Sequence, residues 1–182
     1  MTNDLKNQAH YKEAKIAQSF FKDLIESCIN GNVTNFTSLL DDYTGKNSSI
    51  SNEDIFREFQ SEGKTILHIA SSSGKVDIIK AILEDITDKN EFINKPDGNG
   101  FTPLIYATIS ESFECMKELI AQGADVNAKN NDGSSPAHFA AGDGSVKRLD
   151  LLLKNGAKLD GLSQSGSPLH WAAGKGRTES VK

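Results

Sequence analysis

Few side chains in this chain could do chemistry. The four histidines are His10, His68, His138 and His170, and the two cysteines are Cys28 and Cys115. Brought together, they could form a tetrahedral zinc site or a Cys–His nucleophilic pair. Asp97-Gly98-Asn99-Gly100 starts like a calcium loop. It lacks the remaining ligands and the closing glutamate, so it reads as a hairpin turn. Gly142-Asp143-Gly144 and Gly174-Lys175-Gly176 are glycine-rich, but no GxxxxGK[ST] follows a strand. They read as helix-ending turns rather than a phosphate loop. Whether the histidines and cysteines can meet depends on the elements that carry them.

The chain has 182 residues, 20 Lys and Arg against 25 Asp and Glu, and 37% apolar residues. This suits one globular domain or one short array. A net charge of −5 argues against a general nucleic-acid binder, which shows a basic stripe. No apolar run reaches membrane-spanning length, and the polar start, Met1 to Ala9, has no secretory core. Two cysteines make no disulfide framework and read as buried thiols of a reducing compartment. The expected compartment is the cytoplasm, with the nucleus left open.

Internal repetition organises the chain. Thr65-Ile66-Leu67-His68, Thr102-Pro103-Leu104-Ile105, Ser135-Pro136-Ala137-His138 and Ser167-Pro168-Leu169-His170 begin 37, 33 and 32 residues apart. Nine residues into each unit stands Gly74, Glu111, Gly144 or Gly176, with small residues such as Ala140-Ala141 and Ala172-Ala173 between. The Thr or Ser hydroxyl suits a helix start, and proline suits the first helical position. The small pair allows close helix approach, and the glycine ends a short helix. A second helix follows, with Val76, Ile79, Ile82 and Leu83 on one face. Each unit is therefore a helix–turn–helix with a loop.

These residues resemble the ankyrin repeat over about residues 20–182. The resemblance implies an all-α solenoid of stacked helix–turn–helix units with β-hairpin loops. The units fall at 63–96, 97–129, 130–162 and 163–182, the last truncated. Residues 1–9 are expected to be disordered, and 10–42 to form a divergent capping repeat whose first helix starts near Tyr11. Residues 43–62 form an insert with a short helix near Asn52–Phe59, expected to cover the first hairpin. The connection Glu84–Gly100 is about four residues longer than the regular one, and Ala157–Gly166 is one shorter. Glu111 stands where glycine is expected, costing about 1 kcal/mol if it keeps a left-handed backbone. Arg177 to Lys182 begins a second helix without its apolar pair. That predicts the N-terminal piece of a longer protein, or a helix frayed at a true terminus.

In the family the motif imidazole ties backbone between neighbouring units, and Ile105 breaks that tie in the second. Histidines carried one per unit stand near 10 Å apart, the spacing of packed helices, too wide for one zinc ion. Cys28 and Cys115 fall two units apart. The sequence therefore calls for no catalytic group, metal or cofactor.

What remains is a surface for another protein, at the hairpin tips and the exposed face of each first helix. The expected contact residues are Lys64, Ser73, Asn99, Phe101, Ile109, Ser110, Ser134, Asp143 and Lys175. Phe101 and Ile109 belong to one unit, should lie near each other, and read as a binding anchor unless the longer loop Asp88–Pro96 covers them. The row Ile69, Tyr106, Phe139 and Trp171 reads as packing between units rather than a ligand platform. Asn127, with Leu119 eight residues before it, resembles ankyrin asparagines hydroxylated by a dioxygenase, or simply stabilises its turn.

The leading function is a non-catalytic scaffold or adaptor, a monomeric array whose exposed end could pair artificially. One alternative is the substrate-targeting region of a longer enzyme. Another follows from Gly100–Ile105 and Ser165–Gly174, which look like the ankyrin part of ankyrin–tetratricopeptide, co-chaperone-like proteins. A passive spacer is a further reading.

Overall fold

Each motif helix begins where the sequence places a Thr or Ser hydroxyl, followed in three of the four by a proline. In the computed structural model, which describes residues 18–59 and 63–176, the helices that start at Pro103, Pro136 and Pro168 carry proline in their first turn. Residues 18–30 form α1, followed by α2 (Val33–Lys46) and α3 (Asn52–Glu58). The repeated units supply α4 (Ile66–Ser72), α5 (Val76–Glu84), α6 (Lys89–Ile93), α7 (Pro103–Ile109) and α8 (Phe113–Ala121). They continue with α9 (Pro136–Asp143), α10 (Val146–Lys154) and α11 (Pro168–Gly174). The disorder expected of residues 1–9, the helix start near Tyr11 and residues 177–182 lie outside the described residues.

The short helices stack in two rows. In the inner row α4 packs on α7, α7 on α9 and α9 on α11; in the outer row α2, α5 and α8 touch in turn, and α10 packs on α9. One continuous core runs from Phe20 to Leu152. The outer helices bury one apolar stripe each, as with Ile78, Ile79, Ile82 and Leu83 of α5. No single unit encloses a core, so each depends on its neighbours.

The loops between units close as tight turns. Asp97 N–H donates to the Phe101 carbonyl at 2.9 Å, Asn130 N–H to Ser134 at 3.0 Å, and Ser163 N–H to Gly166 at 3.0 Å. Among the described residues no strand forms, and one isolated bridge pairs Ser163 with Gly166. The turns stack closely: Asn131 N–H donates to Asn99 O at 3.0 Å, and Gln164 N–H to Asp132 O at 2.9 Å. At Gly100 (φ 80) an added Cβ would sit 2.7 Å from the Asn131 backbone nitrogen, so the contact admits no side chain there.

Two connections differ from expectation. The longer Glu84–Gly100 segment is not simply loop; it forms α6, whose Phe92 and Ile93 join the core. The cap's second helix continues four residues past 42, to Lys46. In the insert, Ser51 and Asp54 cap α3 reciprocally, at 2.8 and 3.1 Å. Its rings reach backwards, Phe56 onto Phe36 and Phe59 onto Phe21. Its polar face reaches forwards: Thr87 Oγ1 donates to Glu53 at 2.8 Å, and Asn52 to Asp85 at 2.8 Å. The described contacts of α3 thus tie the cap to the C-terminal end of α5. Residues 60–62, next to the hairpin it was expected to cover, are not described.

Glu111 does keep the left-handed backbone, with φ 59 where the equivalent glycines have 68, 77 and 66. Its carboxylate lies 3.6 Å from Arg148, an arginine of α10 only 5% exposed. Arg148 Nη1 donates to the Thr108 carbonyl at 2.6 Å and stands 3.4 Å from Asp143 Oδ2. The strain costs about 1 kcal/mol, whereas an ion pair with an exposed carboxylate contributes about 0.5 kcal/mol. Glu111→Gly is therefore expected to raise the urea midpoint slightly; a fall would show that the pair outweighs the strain. Arg148→Ala empties a buried site and strips a carbonyl of its partner, and is expected to cost about 3 kcal/mol by the same measurement.

Candidate functional site

The motif histidines are built into the seams. Thr65 N–H donates to His68 Nδ1 at 3.1 Å, so that nitrogen is unprotonated and the proton sits on Nε2. Nε2 then donates to the Phe101 carbonyl of the next unit at 3.0 Å. His138 repeats the arrangement, with Ser135 N–H at 3.1 Å and the Gly166 carbonyl at 3.2 Å. Burial holds both imidazoles below their ordinary value, His68 at about 4, against the smaller upward pull of their carbonyl partners. Ile105 fills the same place in the second unit and is fully buried.

A second set of ties went unnoticed in the sequence. Asn94 Nδ2 donates to Gly123 O at 3.2 Å, and its Oδ1 accepts from Asp125 N–H at 2.7 Å. Thirty-three residues on, Asn127 makes the same clasp on Gly156 O at 3.0 Å and Lys158 N–H at 2.9 Å. Both halves of the Asn127 amide are used structurally, as in its predecessor. The spacing of Asn94 and Asn127 was the available signal. Asp97 is equally engaged: it accepts from Asn99 and Phe101 N–H at 2.9 Å and from the Tyr106 hydroxyl at 2.7 Å. Burial pulls its carboxyl up, but those hydrogen bonds outweigh it and hold the group below its ordinary value.

On the open face of the inner row, Ile69, Tyr106, Phe139 and Trp171 are each half-buried. Phe101 lies 5.6 Å from the Tyr106 ring and 6.0 Å from Phe139, which meets Trp171 edge-on at 5.4 Å. The row packs along the array and offers its outer edges to solvent. Lys64 Nζ stands 5.2 Å above Tyr106. Phe101 and Ile109 flank opposite ends of α7, about 10 Å of helix apart, because they precede and end one seven-residue helix. They are not one compact anchor. Ile109 is 42% exposed, and neither residue is covered by the 88–96 segment to the point of burial.

The remaining expected contact residues divide. Asn99, Asp143 and Lys175 are exposed, and Ser73 is half-buried. Ser110 is half-buried and donates to the Ser71 carbonyl at 2.9 Å, a seam contact. Ser134 corrects the expectation. It is 3% exposed because it closes its turn, with both its amide and carbonyl engaged by Asn130.

Among the described residues, no group of three His, Cys, Asp or Glu is placed to hold a metal, and no helix is long and apolar enough to cross a membrane. Burial pushes the Cys28 thiol up to about 12 and also raises Cys115, so neither is a ready nucleophile.

Comparison with known proteins fits this architecture. A family model described as ankyrin repeats in three copies matches residues 24–130 and 114–182. The chain is 32% identical over 119 residues, 65% of its length, to ankyrin repeat protein nuc-2 of Neurospora crassa, and covers 11% of that protein. It is 34% identical over 119 residues to the nuclear factor NF-kappa-B p105 subunit of Mus musculus, with 64% of this chain and 12% of that one covered. It is 32% identical over 127 residues to the E3 ubiquitin-protein ligase KEG of Arabidopsis thaliana, 65% of this chain and 7% of that enzyme. The chain thus spans about a tenth of the length of these relatives.

The neutral histidines set an acid limit on stability. His68 titrates near its ordinary 6.5 when unfolded and at about 4 when folded, so below 6.5 the unfolded chain binds the extra proton. Stability is whole above pH 6.5 and falls by about 1.4 kcal/mol per unit towards pH 4. His138 acts in the same direction. Urea titrations at successive pH values are expected to show this slope, and His68→Gln to lose about one proton's share of it; an unchanged slope would contradict the assignment.

Proposed function

The chain belongs to the ankyrin repeat family, whose repeats are protein–protein interaction modules, and from that premise we propose that it binds another protein along the open face of its inner helices and stacked turns. The observation carrying this is Ile109. Its register-equivalents are Ser72, Gly142 and Gly174, yet here an aliphatic side chain stands 42% exposed at the end of a rigid helix. The fold makes no use of that exposed surface, and a partner can bury it. Phe101 and the edges of the aromatic row extend the apolar strip towards the turns, and Lys64, Asn99, Asp143 and Lys175 border it with polar and charged groups. An apolar strip with a polar border is the composition of a protein interface. The role is that of an adaptor or scaffold in the cytoplasm. Any catalytic activity of a larger protein would come from elsewhere in it; the match to the ligase relative covers 7% of that enzyme.

Site-specific photo-crosslinking in cells tests the reading. A photoreactive residue at Ile109 or Lys175 is expected to capture a protein partner, while one at Lys80 or Lys117 on the outer helices is not. Ile109→Asp is expected to weaken capture from position 175 at least ten-fold, in line with about 2 kcal/mol for a central anchor, without changing the melting temperature. Equal adducts from both faces, or none from the inner face, would overturn the proposal.

A further inference from the structure

A groove lies between the loop that follows α8 and the loop that follows α10. Its volume is about 570 Å³, within the range of ligand sites, and Asn127, Lys129, Lys158, Asp160, Gly161 and Leu162 line it. The Asn127 clasp joins the two loops, through Gly156 O at 3.0 Å and Lys158 N–H at 2.9 Å, and fixes their separation. Lys129 extends from one loop towards the other: a Cβ added at Gly161 would lie 3.6 Å from its Nζ. Gly161 has no positive φ that calls for glycine, so its missing side chain serves to leave room in front of that ammonium. Lys129 and Lys158 are exposed, and among the described residues neither is paired with a carboxylate, Asp160 included. Two ammonium groups against one carboxylate leave the groove one positive charge, in a chain whose net charge is −5. Leu162 stands at the groove 68% exposed and takes no part in the core. Its register-equivalents, Pro96 and Lys129, are exposed as well although a further unit follows each, so this position faces solvent throughout the array.

We infer that this groove binds the C-terminal end of a peptide whose last residue is apolar. The free α-carboxylate sits between the Lys129 and Lys158 ammonium groups, the last side chain lies on Leu162, and the last backbone N–H donates to Asp160. The argument is charge complementarity. A single surplus positive charge matches one carboxylate. A phosphate dianion would meet Asp160 with a second negative charge, and a small free anion would leave Leu162 unused. In a chain end the α-carboxylate and the last side chain leave the same carbon, so one residue meets the lysines and Leu162 together. The inference is independent of the partner-binding reading, which concerns the open face of the inner helices.

The test titrates the 182-residue chain and follows the backbone amide signals of Lys158, Gly161 and Leu162 by NMR. The probes are acetylated tetrapeptides Ser-Gly-Ala-X, with X leucine, valine or phenylalanine, each as the free acid and as the C-terminal amide, and inorganic phosphate. The free acids are expected to shift these signals to saturation, and the amides to bind about ten-fold more weakly, as for the loss of one charge-assisted contact. Lys129→Gln and Lys158→Gln are each expected to weaken the free acids about three-fold, as for an exposed ion pair. Leu162→Ser should weaken them by a similar factor, and all three variants should melt with the parent because the fold does not use these side chains. Amides that bind as well as the acids overturn the inference, as does phosphate binding more tightly than any peptide. Saturating shifts confined to other residues, or free acids that shift nothing, overturn it equally.

Discussion

Short helices and tight turns leave backbone amides and carbonyls that their own unit cannot pair, and burying them unpaired is costly. The rest of this structure depends on how neighbouring units supply the missing partners. His68 and His138 each serve an amide of their own unit and a carbonyl of the next. Asn94 and Asn127 each clasp one amide and one carbonyl across the outer loops. The hydrophobic core drives collapse without direction; these directional contacts fix the register at which one unit sits on the next.

The second unit shows how the constraint can be met differently. It has Ile105 in place of the tying imidazole and Glu111 in place of the helix-ending glycine. Its seam with the third unit is held instead by Arg148, whose guanidinium reaches back to the Thr108 carbonyl. The equivalent carbonyl of the first unit, on Ser71, accepts from Ser110. Two chemically unlike side chains thus satisfy one register position. Arg148 also faces Asp143 and Glu111, so its buried charge has carboxylates beside it.

Because the seams consume so many polar side chains, the surplus is easy to identify. Asp97 and Ser134 are occupied within their own units, and Ser110 and Asn127 in contacts with a neighbouring one. Ile109, Asn99, Lys175 and the outer edges of the aromatic row remain on the open face. Helices carry Ile109 and the aromatic rings, and a hydrogen-bonded turn carries Asn99, so little order has to be imposed on binding.

The order of elements was legible in the sequence because helix starts, stops and apolar stripes are local. A hydroxyl, a proline and a histidine at fixed offsets specify one inner helix wherever they occur, and recurrence near 33 residues specifies stacking. Register alone marked Glu111 as the site of a turn either strained or differently built, and its backbone is left-handed. The helix within 84–100 was missed because five residues carry too little periodicity to distinguish a helix from a loop. What the tertiary structure decided was everything that depends on contacts across seams. It directed Arg148 to a carbonyl 40 residues away and set the Ser110 hydroxyl on the Ser71 carbonyl of the preceding unit. Local pattern sets each residue's direction from its own backbone, but only stacking determines which unit, if any, stands opposite.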